Sequence, residues 1–225
     1  YGGTAIVLNL VRKQHQTKRN TWEKVHRAYT YFFVNYLNDF DWFVRLDDDV
    51  LVSMLSLKDY LSYYDVKNIK YPLYLGHPLL DRWEHDNIVY NAGNMHVINR
   101  IALSFLGRIF MTLPTMNAAT GHAHCGDFDG GNDDPHFGQC LSSIGIYPAN
   151  TLDYYFRNRV MIFRESDHKT ITRPPDKNKE RKDYYWKSQP NSMKQGNDCC
   201  SDFVWNDHPL INEKDMFRWR HAFII

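Results

Sequence analysis

The sequence predicts an α/β fold, with helices layered on a sheet, and three observations carry that expectation. Short apolar runs rich in β-branched and aromatic residues alternate with stretches whose apolar residues recur at i, i+3 and i+4. The 225 residues are 43% apolar and 24% charged, the balance of a globular domain with a sizeable core rather than of a disordered chain. No apolar run approaches the roughly 18 residues of a membrane-spanning helix. One domain, residues 1–225, is expected.

Taken in order, Ala5–Val11 reads as a buried strand, and the basic stretch Arg12–Arg19 as a solvated loop. A helix capped by Thr21 follows, with Trp22, Val25, Ala28, Tyr29, Phe32, Phe33 and Tyr36 on one side, ending near Asn38-Asp39. Asp41–Leu46 is the next strand and leads into Asp47-Asp48-Asp49. Leu55–Tyr64 is amphipathic helix, and Tyr71–Leu75 a further strand. Ile88–Ile98 is mixed, with a turn at Asn91–Asn94, and Ile101–Phe110 is helical. Small residues and glycines make 112–131 a loop; helix resumes after Asp133, and Ile144–Pro148 suggests a short strand. Residues 170–180, with Pro174-Pro175 and dense charge, read as an exposed linker.

Lys+Arg 27 against Asp+Glu 26 leaves a net charge of +1, which excludes a nucleic-acid binder driven by bulk charge. Cys125, Cys140, Cys199 and Cys200 match no zinc spacing. Oxidised cysteines of the secretory pathway are favoured over free thiols. Cys125 and Cys140 could close a short loop, whereas adjacent cysteines more often bond to two distant partners than to each other. The chain starts at Tyr1 rather than Met and reads as a fragment, so attachment through an upstream segment stays open.

The acidic triplet carries the chemistry. In an extended strand end Asp47 and Asp49 point one way and Asp48 the other. Like charges this close raise each other's proton affinity unless a cation offsets them. A divalent ion held by hard oxygens, Mg²⁺ or Mn²⁺, would do so and could bridge phosphate oxygens. The end of a strand is also where open α/β sheets place ligands. A solvated acidic turn is the alternative.

Asp41-Trp-Phe-Val-Arg-Leu-Asp-Asp-Asp49 resembles the DWF-x-x-x-DDD block of the β1,3-glycosyltransferases, the family of core 1 β1,3-galactosyltransferases and, more distantly, the fringe enzymes. The likeness continues in order through Tyr63-Tyr64-Asp65, Tyr74-Leu75-Gly76, Ala92–Ile98, Asn132–Cys140 and Cys199-Cys-Ser-Asp202 with His208. The resemblance implies a GT-A nucleotide-sugar transferase fold, a mixed sheet flanked by helices, with the amino-terminal part of the domain missing here. It further implies Mn²⁺ held by Asp47, Asp49 and His208, and donor contacts from Asp48, Lys18 and Lys24. Asp134 would be the catalytic base of an inverting reaction, and Tyr184 and Trp186, in the aromatic run Tyr184-Tyr185-Trp186, would line the acceptor site.

The implied reaction moves galactose from UDP-galactose to GalNAc on Ser/Thr of a glycoprotein. The implied setting is the Golgi lumen, with a membrane anchor upstream and a possible homodimer. A non-catalytic, chaperone-like relative and a fringe-like GlcNAc transferase are the alternatives. Three departures bear on activity: Ala92-Gly-Asn-Met95 replaces a glycine-rich stretch, Asp133 replaces a Glu, and Pro209 replaces a Tyr. Bulk at two glycine positions is expected to crowd the sugar pocket.

Overall fold

The computed structural model describes residues 21–47, 49–65, 67–81, 88–112, 125, 133–172, 185 and 188–208. The expected strand Ala5–Val11 and loop Arg12–Arg19 lie outside the described residues, as does most of 112–131. Chain order runs α1 (Thr21–Tyr36), β1 (Trp42–Leu46), β2 (Leu51–Val52), α2 (Met54–Ser62), β3 (Tyr74–Leu75), β4 (Pro78–Leu80), β5 (Val89–Asn91) and β6 (Met95–Asn99). Next come α3 (Arg100–Thr112), α4 (Asp133–Ser143), the short α5 (Glu165–Thr170) and β7 (Asn206–Asp207).

The centre is a three-stranded sheet in the order β1-β6-β3. β6 pairs antiparallel with both neighbours, Arg45 opposite His96 and Tyr74 opposite Ile98. The period of two along each strand sorts the side chains into two cores. Phe43, Ile98 and Tyr74 face one cluster with Trp22, Tyr29, Leu103, Leu106 and Phe137 from α1, α3 and α4. Val97, Met95 and Leu75 face the other, with Leu57 of α2 and Trp205. Every residue of β6 is buried, as a strand covered on both faces should be. The layered α/β expectation is therefore met. Among the described residues the named strand pairs are antiparallel, and parallel contact is confined to two isolated bridges, Tyr74–Pro148 and Asn158–Cys200.

Several local expectations are corrected. Only the last two residues of Tyr71–Leu75 pair as a strand, because Pro72 has no N–H to give. The Asn99 side chain replaces the ladder there, accepting from Leu73 N at 3.0 Å and donating to Tyr71 O at 3.0 Å. Ile144–Pro148 is not a strand: Gly145, at φ 78°, closes α4, and one bridge at Pro148 is all that pairs. The hairpin β4–β5 was not anticipated. Of the expected linker 170–180, residues 173–180 lie outside the described residues; Thr170 ends α5 and is exposed, while Ile171 is buried in the cluster of Leu79, Tyr185 and Met193.

All four cysteines are oxidised. Cys125 bonds to Cys140, and Cys199 bonds to Cys200 rather than to two distant partners. Among the described residues no helix is long and apolar enough to cross a membrane.

Candidate functional site

The site forms where β1 ends. A turn over Asp47–Val50, closed by Val50 N donating to Asp47 O at 3.3 Å, turns the chain into β2. It is this turn, not the alternation of an extended strand, that brings Asp47 and Asp49 to one point. β2 pairs with β7, Leu51 opposite Asp207, and so the chain delivers His208 beside Asp49 across more than 150 residues of sequence. One ligand atom from each of Asp47, Asp49 and His208 lies within 4.8 Å of the others.

The orientation of His208 is set from behind. Its Nδ1 lies 3.0 Å from Ile162 O, and a carbonyl only accepts, so Nδ1 carries the proton. On the other side of the ring, Nε2 faces Asp49 Oδ1 at 3.3 Å. Two electron-pair donors at that distance need a proton or a cation between them. Two carboxylates and an imidazole whose other nitrogen is fixed by a carbonyl make a donor set that fits Mn²⁺. Asp47 is half-buried, and burial pushes its carboxyl up to about 6; Asp134 and Asp133 add to the rise, while Arg45 and His208 oppose it.

Arg45 was not singled out in the sequence, yet it organises this region. It shares the side of β1 that carries Phe43, so it points at the start of α4, where Asp133 and Asp134 form the first turn. Its guanidinium ion-pairs with Asp133, donates through Nη1 to Asp134 Oδ1 at 2.9 Å, and lies 3.5 Å from Asp47 Oδ1. Burial works against the charge, but Asp133 and Asp134 outweigh it and raise the guanidinium pKa. The signal was available: Arg45 is the charged residue of an otherwise apolar strand, two positions before Asp47 and therefore on its side.

His96, the cross-strand partner of Arg45, is fully buried and stacked on Phe137 at 5.2 Å. Burial and the Arg45 charge lower its pKa to about 3, so the ring is neutral. Asp133 and Asp134 are thus ion-pair partners and not merely helix-capping residues.

At the two altered glycine positions, 92 and 95, the side chains lie in the core, and Ala92 packs in the cluster of Leu79 and Ile162. Met95 points into the core beside Val97 and Trp205, and Asn94 turns away to donate to Met161 O at 2.6 Å. Gly93 is the position where space is short, since a Cβ there would overlap the Asp134 carboxylate. Lys24 is exposed in the first turn of α1. Lys18, Asp48, Tyr184 and Trp186 lie outside the described residues. Tyr185, between the last two, is buried and stacked on His77 at 5.2 Å, a core role.

No protein-family model matches the chain. It is 26% identical over 197 residues to glycoprotein-N-acetylgalactosamine 3-beta-galactosyltransferase 1 of Xenopus laevis. The match takes in 87% of this chain and 48% of the relative, so the chain spans about half the length of the curated protein it matches. On this evidence the chain is similar to a glycosyltransferase over most of its length.

Proposed function

We propose that the chain is the catalytic part of a Mn²⁺-dependent, inverting glycosyltransferase that moves galactose from UDP-galactose to the 3-hydroxyl of GalNAc on a glycoprotein. The observation that carries this reading is the convergence of Asp47, Asp49 and His208 within 4.8 Å, next to the Asp134 carboxylate held by Arg45. Similarity to a galactosyltransferase supports the same class of chemistry.

In this reading Asp47, Asp49 and His208 hold Mn²⁺, which when bound would offset the charge of the leaving diphosphate. Asp48 and the lysines Lys18 and Lys24 would contact the donor. Asp134 takes the proton of the acceptor hydroxyl as that oxygen forms its bond to the sugar carbon. The bond from that carbon to the diphosphate oxygen breaks on the opposite face, and UDP leaves with the electron pair. Inversion follows from attack on the far face. Gly93 leaves room for the Asp134 carboxylate, and Arg45 keeps it in one orientation. Tyr184 and Trp186 would stack on the apolar face of the acceptor sugar. A luminal Golgi location, with a membrane anchor outside the residues given, and a homodimer belong to the same proposal.

The test uses the full-length protein with labelled UDP-galactose and a GalNAc-bearing peptide. Wild-type protein transfers the label only with Mn²⁺. Asp49→Ala abolishes metal-dependent UDP binding, and Asp134→Asn retains UDP binding but loses transfer by about 100-fold or more. Unchanged UDP binding by Asp49→Ala would rule out the metal assignment. Full activity of Asp134→Asn would remove the base.

A further inference from the structure

Three carboxylates meet one guanidinium at the edge of this site. Arg45 Nη2 serves both Asp133 and, at 3.5 Å, Asp47 Oδ1, while Nη1 donates to Asp134 Oδ1 at 2.9 Å. Behind the fork, His96 Nε2 lies 2.8 Å from Asn91 O and must donate to it. Its Nδ1 therefore presents a lone pair to Arg45 Nη1 at 3.4 Å, which fixes the guanidinium from the rear. On the far side, the backbone of Gly93 lies against the Asp134 carboxylate.

We propose that Arg45 is a positioning residue that divides the carboxylates of the site into two sets, holding Asp133 and Asp134 off the cation bound by Asp47, Asp49 and His208. The inference rests on the function proposed above. Carboxylates are interchangeable as hard ligands, and a divalent ion at Asp47 attracts every carboxylate within reach. A carboxylate bound to the metal is lost as a base. The planar fork of arginine gives Asp133 and Asp134 a competing partner, and a lysine could not span the same set because it acts as a point charge. Gly93, which has no Cβ, lets the Asp134 carboxylate that Arg45 holds lie against the backbone.

The experiment uses the full chain with Arg45→Met, Arg45→Lys, Asp133→Asn and the double variant Arg45→Met/Asp133→Asn. Mn²⁺ affinity is measured by electron paramagnetic resonance titration without donor, alongside kcat, KM and melting temperature. Arg45→Met is expected to bind Mn²⁺ about three- to tenfold tighter, because an opposing charge is gone and carboxylates are released. Its kcat should fall about 100-fold while the donor KM stays within a few-fold, since the base is misplaced. Arg45→Lys should fall between the two, and the double variant should return Mn²⁺ affinity towards wild type.

A purely structural Arg45 gives a different pattern: Mn²⁺ affinity, kcat and melting temperature fall together in Arg45→Met. That result overturns the proposal. Should Arg45→Met not fold, unchanged kcat and Mn²⁺ affinity in Arg45→Lys overturn it equally. Tighter Mn²⁺ binding by Arg45→Met in a protein that transfers no sugar sinks the proposed function and leaves the charge division standing. Active wild-type protein with no gain of Mn²⁺ affinity in Arg45→Met does the reverse.

Discussion

Asp47 answers to burial, to a neighbouring arginine and to two further carboxylates, and the sum decides its titration. Burial leads, and the carboxyl rises from 3.8 to about 6. Between those values the folded chain binds a proton that the unfolded chain has released. Stability therefore falls as pH climbs from about 4 to about 6, the opposite of a carboxylate whose native pKa is depressed. A cation displaces the same proton. Denaturant titrations of metal-free wild-type protein and Asp47→Asn should thus diverge across this window, with wild type losing ground as pH rises. Mn²⁺ affinity of wild type should climb over the same range and level off above it. Parallel stability curves would show that Asp47 is not the titrating group. His208 illustrates the complementary point, that a residue's role is set by what holds its other side, here the carbonyl of Ile162.

At the scale of elements, the site depends on three joints. β1 carries Arg45 and leads into Asp47; α4 presents Asp133 and Asp134; and the β2–β7 pair brings His208. The last joint is backed by Asn206, whose side chain imitates a strand, accepting from Met161 N at 2.9 Å and donating to Met161 O at 2.8 Å. A fourth joint, α1 against α3, keeps the helical layer in place. Gly107 of α3 lies so close to the Phe33 ring that a methyl group there would overlap it. Alanine is the better helix former by about 1 kcal/mol, but overpacking against a ring costs about 1–3 kcal/mol. Gly107→Ala should therefore be destabilised by up to about 2 kcal/mol in urea denaturation. A gain in stability would mean that the helices separate freely. α1 and α3 were legible in the sequence because their apolar residues recur at helical spacing over three or more turns. β7 was not, because two polar residues carry no periodicity, and only pairing with β2 makes Asn206-Asp207 a strand.

At the scale of the molecule, two cores on opposite faces of a narrow sheet carry the fold, and Cys125–Cys140 ties a distant residue to α4. The cysteines stand 15 residues apart, and a loop of that size is worth about 3 kcal/mol of unfolded-state entropy. Replacing both with alanine should lower stability by about 2–4 kcal/mol, and a reducing agent should produce a similar loss in wild type. No change on reduction would show that the bond contributes nothing to folding.

The sequence alone determined the layered α/β class, the positions of α1, α2, α3 and α4, and the residues on which a metal centre could be built. Those features are local, written in helical periodicity, in an apolar strand and in a run of like charges that asks for a counter-ion. Only the tertiary structure decided how that demand is met. The turn at Asp47–Val50, the strand pair that delivers His208, and Arg45 set between Asp47 and the start of α4 all join residues far apart along the chain. The same holds for Gly93, whose missing side chain matters only because the Asp134 carboxylate lies against it. Contacts of this kind have no signature in spacing, because the distances that create them exist only once the chain has folded.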